Sequence, residues 1–139
     1  MAGAAKILAI TVFTIVGSGV AFADVRLACD AEGAGDISLS AKYEERTRTG
    51  RQKFSAEFEA APRSGFRPGQ RMVVFVESVN VGSVVLRRIA GGDVQGDLNF
   101  DTVPDGDARP FPNNFPDVKS NSLIAIRIGG DKVLGCRLR

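Results

Sequence analysis

Apolar and polar residues alternate at period two through much of this chain. Ile37, Leu39, Ala41 and Tyr43 alternate with Asp36, Ser38, Ser40 and Lys42. Phe54, Ala56, Phe58 and Ala60 alternate with Ser55, Glu57 and Glu59. That is the pattern of β-strands buried on one face only. The run 72–76 is continuously apolar and rich in valine, which suits a central strand. A further strand, 79–86, comes after Glu77-Ser78 alone, so the pattern predicts a tight hairpin. Gly82 interrupts this strand. A bulge there would carry the buried set from Val79 and Val81 onto Val84 and Leu86.

Turn residues punctuate the remainder of the chain. Gly91-Gly92 separates 86–89 from 93–100, where Leu98 and Phe100 would face inward and Asp97, Asn99 and Asp101 outward. Gly129-Gly130-Asp131 joins 123–128 to 132–138 as another hairpin. No segment has a convincing amphipathic helical pattern, and prolines at 62, 68 and between 104 and 116 separate the strands. About eight short strands with turn-rich connections predict an antiparallel β-sandwich of Greek-key or immunoglobulin-like type, with a small β-barrel as the alternative. The segment 101–117 is polar, proline-rich and poor in strand signals. It reads as a long loop, and long ordered loops are often functional.

The first segment has a different character. Lys6 precedes an uncharged, mostly apolar run at 7–16, and Ala21-Phe22-Ala23 is a small-x-small cleavage signal. Residues 1–23 therefore read as a cleaved secretory signal peptide, and residues 24–139 as a single β-sandwich domain with a periplasmic or secreted location. The apolar run is shorter than the ~20 residues a membrane span needs. The expectation is no membrane association after cleavage.

Composition narrows the chemistry. The 139 residues include no His and only two Cys. Histidine-based triads, Cys-His pairs and His-ligated zinc are excluded. In an exported chain, Cys29 and Cys136 most simply form a disulfide, which requires the first and last strands to lie together. The formal net charge is only +2, with 18 basic and 16 acidic residues, which argues against a nucleic-acid partner.

Three surface features could carry function. Asp97, Asp101, Asp105 and Asp107 fall in one short stretch, and hard cations take carboxylate oxygens. The expectation is no cofactor, with calcium as the alternative; the spacing is not that of an EF-hand, and aspartates also favour turns and solvated strand faces. The segment Pro110-Phe111-Pro112-Asn113-Asn114-Phe115-Pro116 holds two aromatics on a proline-restrained backbone. Phe111 and Phe115 either present a contact surface for a protein or glycan partner or plug the open end of the sandwich. Arg46, Arg48, Arg51 and Lys53 surround a turn, Arg63, Arg67 and Arg71 lie on the next connection, and Arg87-Arg88 ends a strand. Such charge could hold anions or protect a sheet edge from aggregation.

Catalysis has the weakest basis. Glu57 and Glu59 share one strand face about 7 Å apart. A glycan-acting envelope enzyme would need them to flank a cleft. The chain therefore reads as a non-catalytic binding or surface-interaction module. A calcium-responsive structural or assembly domain is the second reading, and the enzyme the third.

Four segments also carry a family resemblance: Lys53-Phe54-Ser55-Ala56-Glu57-Phe58-Glu59, Val79-Asn80-Val81-Gly82, Gly96-Asp97-Leu98-Asn99-Phe100-Asp101 and Phe111-Pro112-Asn113-Asn114-Phe115-Pro116. Together, over roughly residues 37–128, they resemble small exported bacterial β-proteins of uncharacterised function. The resemblance implies a β fold and export, and it assigns no catalytic residue. Where that pattern often has Asp-Gly in the hairpin turn, this chain has Glu77-Ser78.

Overall fold

The computed structural model describes residues 23–139, together with Gly17 and Gly19. The signal peptide expected at 1–23 therefore lies almost entirely outside the described residues. The described chain forms nine strands: β1 (Val25–Gly33), β2 (Ile37–Arg46), β3 (Arg51–Ala60), β4 (Arg71–Val76), β5 (Val79–Val85), β6 (Arg87–Arg88), β7 (Val94–Asp101), β8 (Leu123–Ile128) and β9 (Asp131–Arg137). They make two antiparallel sheets, one ordered β1-β2-β3-β7-β6 and the other β5-β4-β8-β9. The architecture is the expected β-sandwich, and the sheets do not close into a barrel. The chain leaves β3 for the other sheet, and the run β4, β5–β6, β7 returns to lie beside β3, a Greek-key path.

Alternation places the core between the sheets. Leu39, Phe54, Phe58 and Leu98 face inward from the five-stranded sheet, and Met72, Val74, Ile124 and Ile126 from the other, each no more than 2% exposed. Full burial of such a side chain contributes ~1.5–3 kcal/mol relative to leaving it in water.

The hairpin between β4 and β5 turns on Glu77 and Ser78, both with positive φ (47° and 65°). Two consecutive left-handed residues match the strand twist, which is why this turn form dominates two-residue hairpins. The Glu77 side chain anchors the turn, its Oε1 accepting the Leu123 N–H at 2.9 Å. Val74 pairs with Gly82 and Phe75 with Asn80, so the extra residue is the buried Val81. The bulge thus falls beside Gly82 and keeps Val81 in the core.

Two strands depart from the sequence pattern. The alternation signal of β1 is faint because its inward positions are Leu27, Cys29, Ala31 and Gly33, only one of them large. The strand expected at 86–89 is reduced to the two residues of β6, because Leu86 carries the chain from one sheet to the other.

That crossing closes one side of the sandwich. Leu86 is buried, donates its N–H to the Gln70 carbonyl at 2.8 Å and accepts from the Gly69 N–H at 2.8 Å. It packs on Gly96, where a Cβ would stand 2.7 Å from Leu86 Cδ2 and 3.2 Å from Met72 Cε. Only glycine leaves that space. The opposite side is closed by the Cys29–Cys136 disulfide, with Cα atoms 5.8 Å apart. Beside it, Ala28 and Arg139 exchange two backbone hydrogen bonds of 3.0 Å.

Candidate functional site

Of the four aspartates considered as calcium ligands, Asp101, Asp105 and Asp107 border one groove and Asp97 does not. Asp97 lies on the outer sheet face, while Asp105 and Asp107 are exposed on the loop after β7. Among the described residues, no group of three or more His, Cys, Asp or Glu side chains is placed to hold a metal ion. Asp101 corrects the strand-parity reading. Parity places it toward solvent, yet it is only 5% exposed. Arg51 grips it with both arms, Nη2 donating to Oδ2 at 2.8 Å and Nε to Oδ1 at 3.1 Å. The Val103 N–H donates to Oδ1 at 2.9 Å, and Lys53 Nζ lies 3.8 Å from Oδ2. The Arg51 hydrogen bond, assisted by that N–H and by the charges of Arg51 and Lys53, lowers the Asp101 carboxyl from 3.8 to about 2. This carboxylate ties the loop after β7 to the start of β3.

That loop, 102–122, covers two strand edges. Arg109 lies along β7, its N–H donating to the Asn99 carbonyl and its carbonyl accepting from the Asp101 N–H, both at 2.9 Å. Its side chain reaches β5, where Nη1 donates to the Ser83 carbonyl at 3.1 Å. Asn114 Nδ2 donates to the Asn80 carbonyl on β5 at 3.2 Å. Carbonyls that would otherwise offer a template for another strand are thus occupied.

Phe111 and Phe115 pack against the core and stay partly buried. Phe115 packs edge-on against Phe54 at 5.2 Å and Phe100 at 5.8 Å, and Phe111 lies 5.6 Å from Phe100. The two rings meet each other edge to face at 4.8 Å and 86°. They therefore plug the end of the core. Both remain only partly buried, and their outer sides line a groove of about 460 Å³ with Tyr43, Pro112 and Pro116.

Strand parity explains the rest of that groove. The inward-facing series on β2 runs Leu39, Ala41, Tyr43 and then Glu45; on β3 it runs Phe58, Ala56, Phe54 and then Gln52. Glu45 and Gln52 are direct cross-strand partners. Past Tyr43 and Phe54 the sandwich is open, so the inward positions become polar and half-exposed. Tyr43 Oη donates to Glu45 Oε2 at 3.0 Å. Burial, then the Glu45 hydrogen bond, then the charges of Glu45 and Asp117 push the Tyr43 hydroxyl up to about 12. Asp117 lines the same groove from the loop.

The outer face of the five-stranded sheet is polar. A groove of about 510 Å³ separates it from the loop at 105–108, with Lys42, Glu44, Arg51, Lys53 and Asn99 among its walls. Glu57 and Asp97 border a smaller depression of about 230 Å³, which among the described residues no aromatic ring lines. Glu57 and Asp97 are direct cross-strand partners, and Glu59 is opposite Gln95. The Glu59 carboxyl is raised, chiefly by its hydrogen bond with Asp93 and then by burial. The two glutamates lie on a sheet face and do not flank a cleft between them. The basic residues divide in the same way. Arg51 and Lys53 belong to the five-stranded sheet, and Arg71 to the other, where it donates to Ser83 Oγ at 2.9 Å. Arg63 approaches Asp36 at 3.8 Å, with both side chains largely in solvent.

Phe111 and Phe115 stand out in the sequence and Asp117 belongs to its acidic stretch, whereas Tyr43, Glu45 and Gln52 carry no mark as groove residues. The available signal is the turn to polar residues at positions that continue the core parity of β2 and β3.

No protein-family model matches the chain, and neither a curated protein nor a solved structure matches it. The disulfide fits a protein of an oxidising compartment, periplasmic or extracellular. Among the described residues no helix is long and apolar enough to cross a membrane.

Proposed function

We propose that this chain is an exported, non-catalytic β-sandwich that acts as a binding or surface-interaction module. Its contact surface is the groove beside Phe111 and Phe115, and its partner is a protein or glycan. One observation supports this reading above the others. Two aromatic rings are fixed from behind by Phe54 and Phe100 and still contribute to the wall of an open groove. Rings held in place lose little freedom on contact, so their burial is retained as affinity. The signal-like sequence at residues 1–23 and the disulfide support the export part of this reading.

Replacing both rings with alanine is a poor test, because it also removes the plug from the core. The better experiment titrates a panel of peptides and oligosaccharides into the isotope-labelled, oxidised protein and follows its amide resonances. Saturable shifts clustered at Gln52, Phe111, Phe115 and Val118 are expected. Shifts clustered on another face, or no saturable response to any of the panel, would overturn the reading. Phe115→Leu keeps an apolar side chain against Phe54 and Phe100, so it should weaken binding while the protein stays folded.

A further inference from the structure

The groove at the open end has a chemical character that selects among ligands. Its walls are Tyr43, Phe111 and Phe115, two prolines and Val118, and its charged lining groups are Glu45 and Asp117. Both charges are negative, and among the described residues no Lys or Arg lines the groove. Anions are repelled from such a site. A neutral sugar would have to desolvate two carboxylates without supplying a countercharge. A cation is attracted twice, by the carboxylates and by the negative faces of the aromatic rings.

We propose that this groove binds a basic peptide segment, seating an arginine or lysine side chain on the Phe111–Phe115 pair within reach of Glu45 and Asp117. The inference rests on the binding-module reading above and names the ligand class for the same site. Tyr43 orients the Glu45 carboxylate through Oε2 and leaves Oε1 to meet the cation. The occupant is a peptide because the groove, at about 460 Å³, is larger than one guanidinium requires. Aromatic and proline walls are also the kind of surface on which extended peptides dock. The Gln52 side chain, with both a donor and an acceptor, can bond to a peptide backbone.

The experiment uses four probes on the isotope-labelled, oxidised protein: acetyl-Gly-Arg-Gly-amide, its uncharged citrulline counterpart, methylguanidine and cellobiose. The arginine peptide should shift the amides of Glu45, Gln52, Phe111 and Val118 saturably, and the citrulline peptide should bind about tenfold more weakly or worse. Combining Glu45→Gln with Asp117→Asn should reduce that preference severalfold, leaving the part owed to the rings, while the remaining resonances stay in place. Equal affinity for arginine and citrulline peptides would overturn recognition by charge. Equal affinity for methylguanidine would overturn the peptide as occupant. Cellobiose moving these amides, with no response to the arginine peptide, would overturn this inference and leave the groove as the contact surface. Probes that move amides only on another face would overturn both.

Discussion

The sandwich is closed along its two long sides by different means. Between β5 and β7 a single residue, Leu86, carries the chain across. It is buried, hydrogen-bonded to β4's approach at Gly69 and Gln70, and seated on Gly96. Between β1 and β9 the packing is thin. Leu27, Cys29 and Ala31 are only partly buried, and the disulfide and the Ala28–Arg139 pair hold the strands. One side is held by shape and the other by a bond. Packing is insensitive to redox conditions, whereas a cross-link acts largely by limiting the unfolded chain and vanishes when reduced.

Breaking the bond should have the largest effect. The bridge spans 107 residues of sequence. Cys29→Ser with Cys136→Ser should therefore lower unfolding stability by ~4–5 kcal/mol in the chain-entropy account, measured by denaturant titration. Leu86→Ala tests the other side. A fully buried leucine removed from a close-packed crossing should cost ~2–5 kcal/mol, and the loss should be the same with and without reductant. If the cysteine variant loses less than the leucine variant, the packed side carries more of the stability than the bond.

Gly96→Ala sharpens the comparison at smaller scale. The added methyl would meet Leu86 Cδ2 at 2.7 Å. It should cost ~1–3 kcal/mol as overpacking, and Leu86→Val in the same chain should recover part of it. Asn114→Ala should cost only ~0.5–1.5 kcal/mol, since it removes one hydrogen bond to the β5 edge. Faster amide exchange along β5 would locate the effect there.

The remaining test is in acid. Asp101 has its folded pKa depressed from 3.8 to about 2 by Arg51. A depressed carboxyl contributes stability that is full above its unfolded value and is lost as pH falls through the folded one. Melting temperature should therefore decline between about pH 4 and pH 2, and Asp101→Asn should flatten that part of the profile. An unchanged profile in the variant would remove Asp101 from the account of acid sensitivity.

Most of the architecture was legible because the hydrophobic effect acts through strand parity. Leu39, Phe54, Leu98 and Ile126 had to face one way once their strands formed. The pairing of Cys29 with Cys136 followed from their number and the expected oxidising compartment. Asp101 was not legible, because its partner Arg51 is fifty residues away in sequence and reaches it only once β3 and β7 pair. Parity sets the face of the sheet; the loop that later covers that face is a tertiary event. The groove was half legible. Phe111 and Phe115 stood out by composition, while Glu45 and Gln52 looked like ordinary strand polarity until the open end gave their inward position a meaning. The acidic stretch is spread for a related reason. Asp97 lies on the strand face and Asp105 and Asp107 on the loop, and among the described residues they form no group placed to hold a metal ion.

Tyr43 gives the groove an optical property of its own. It is the only tyrosine, and the chain has no tryptophan. Near-ultraviolet emission from the folded protein therefore comes almost wholly from one phenol, which lies in the groove wall with its hydroxyl bonded to Glu45. Any molecule that enters there and draws on that carboxylate alters the environment of this single emitter. The protein thus carries a built-in fluorophore at the proposed contact groove, and candidate ligands can be screened by its fluorescence without attaching a dye.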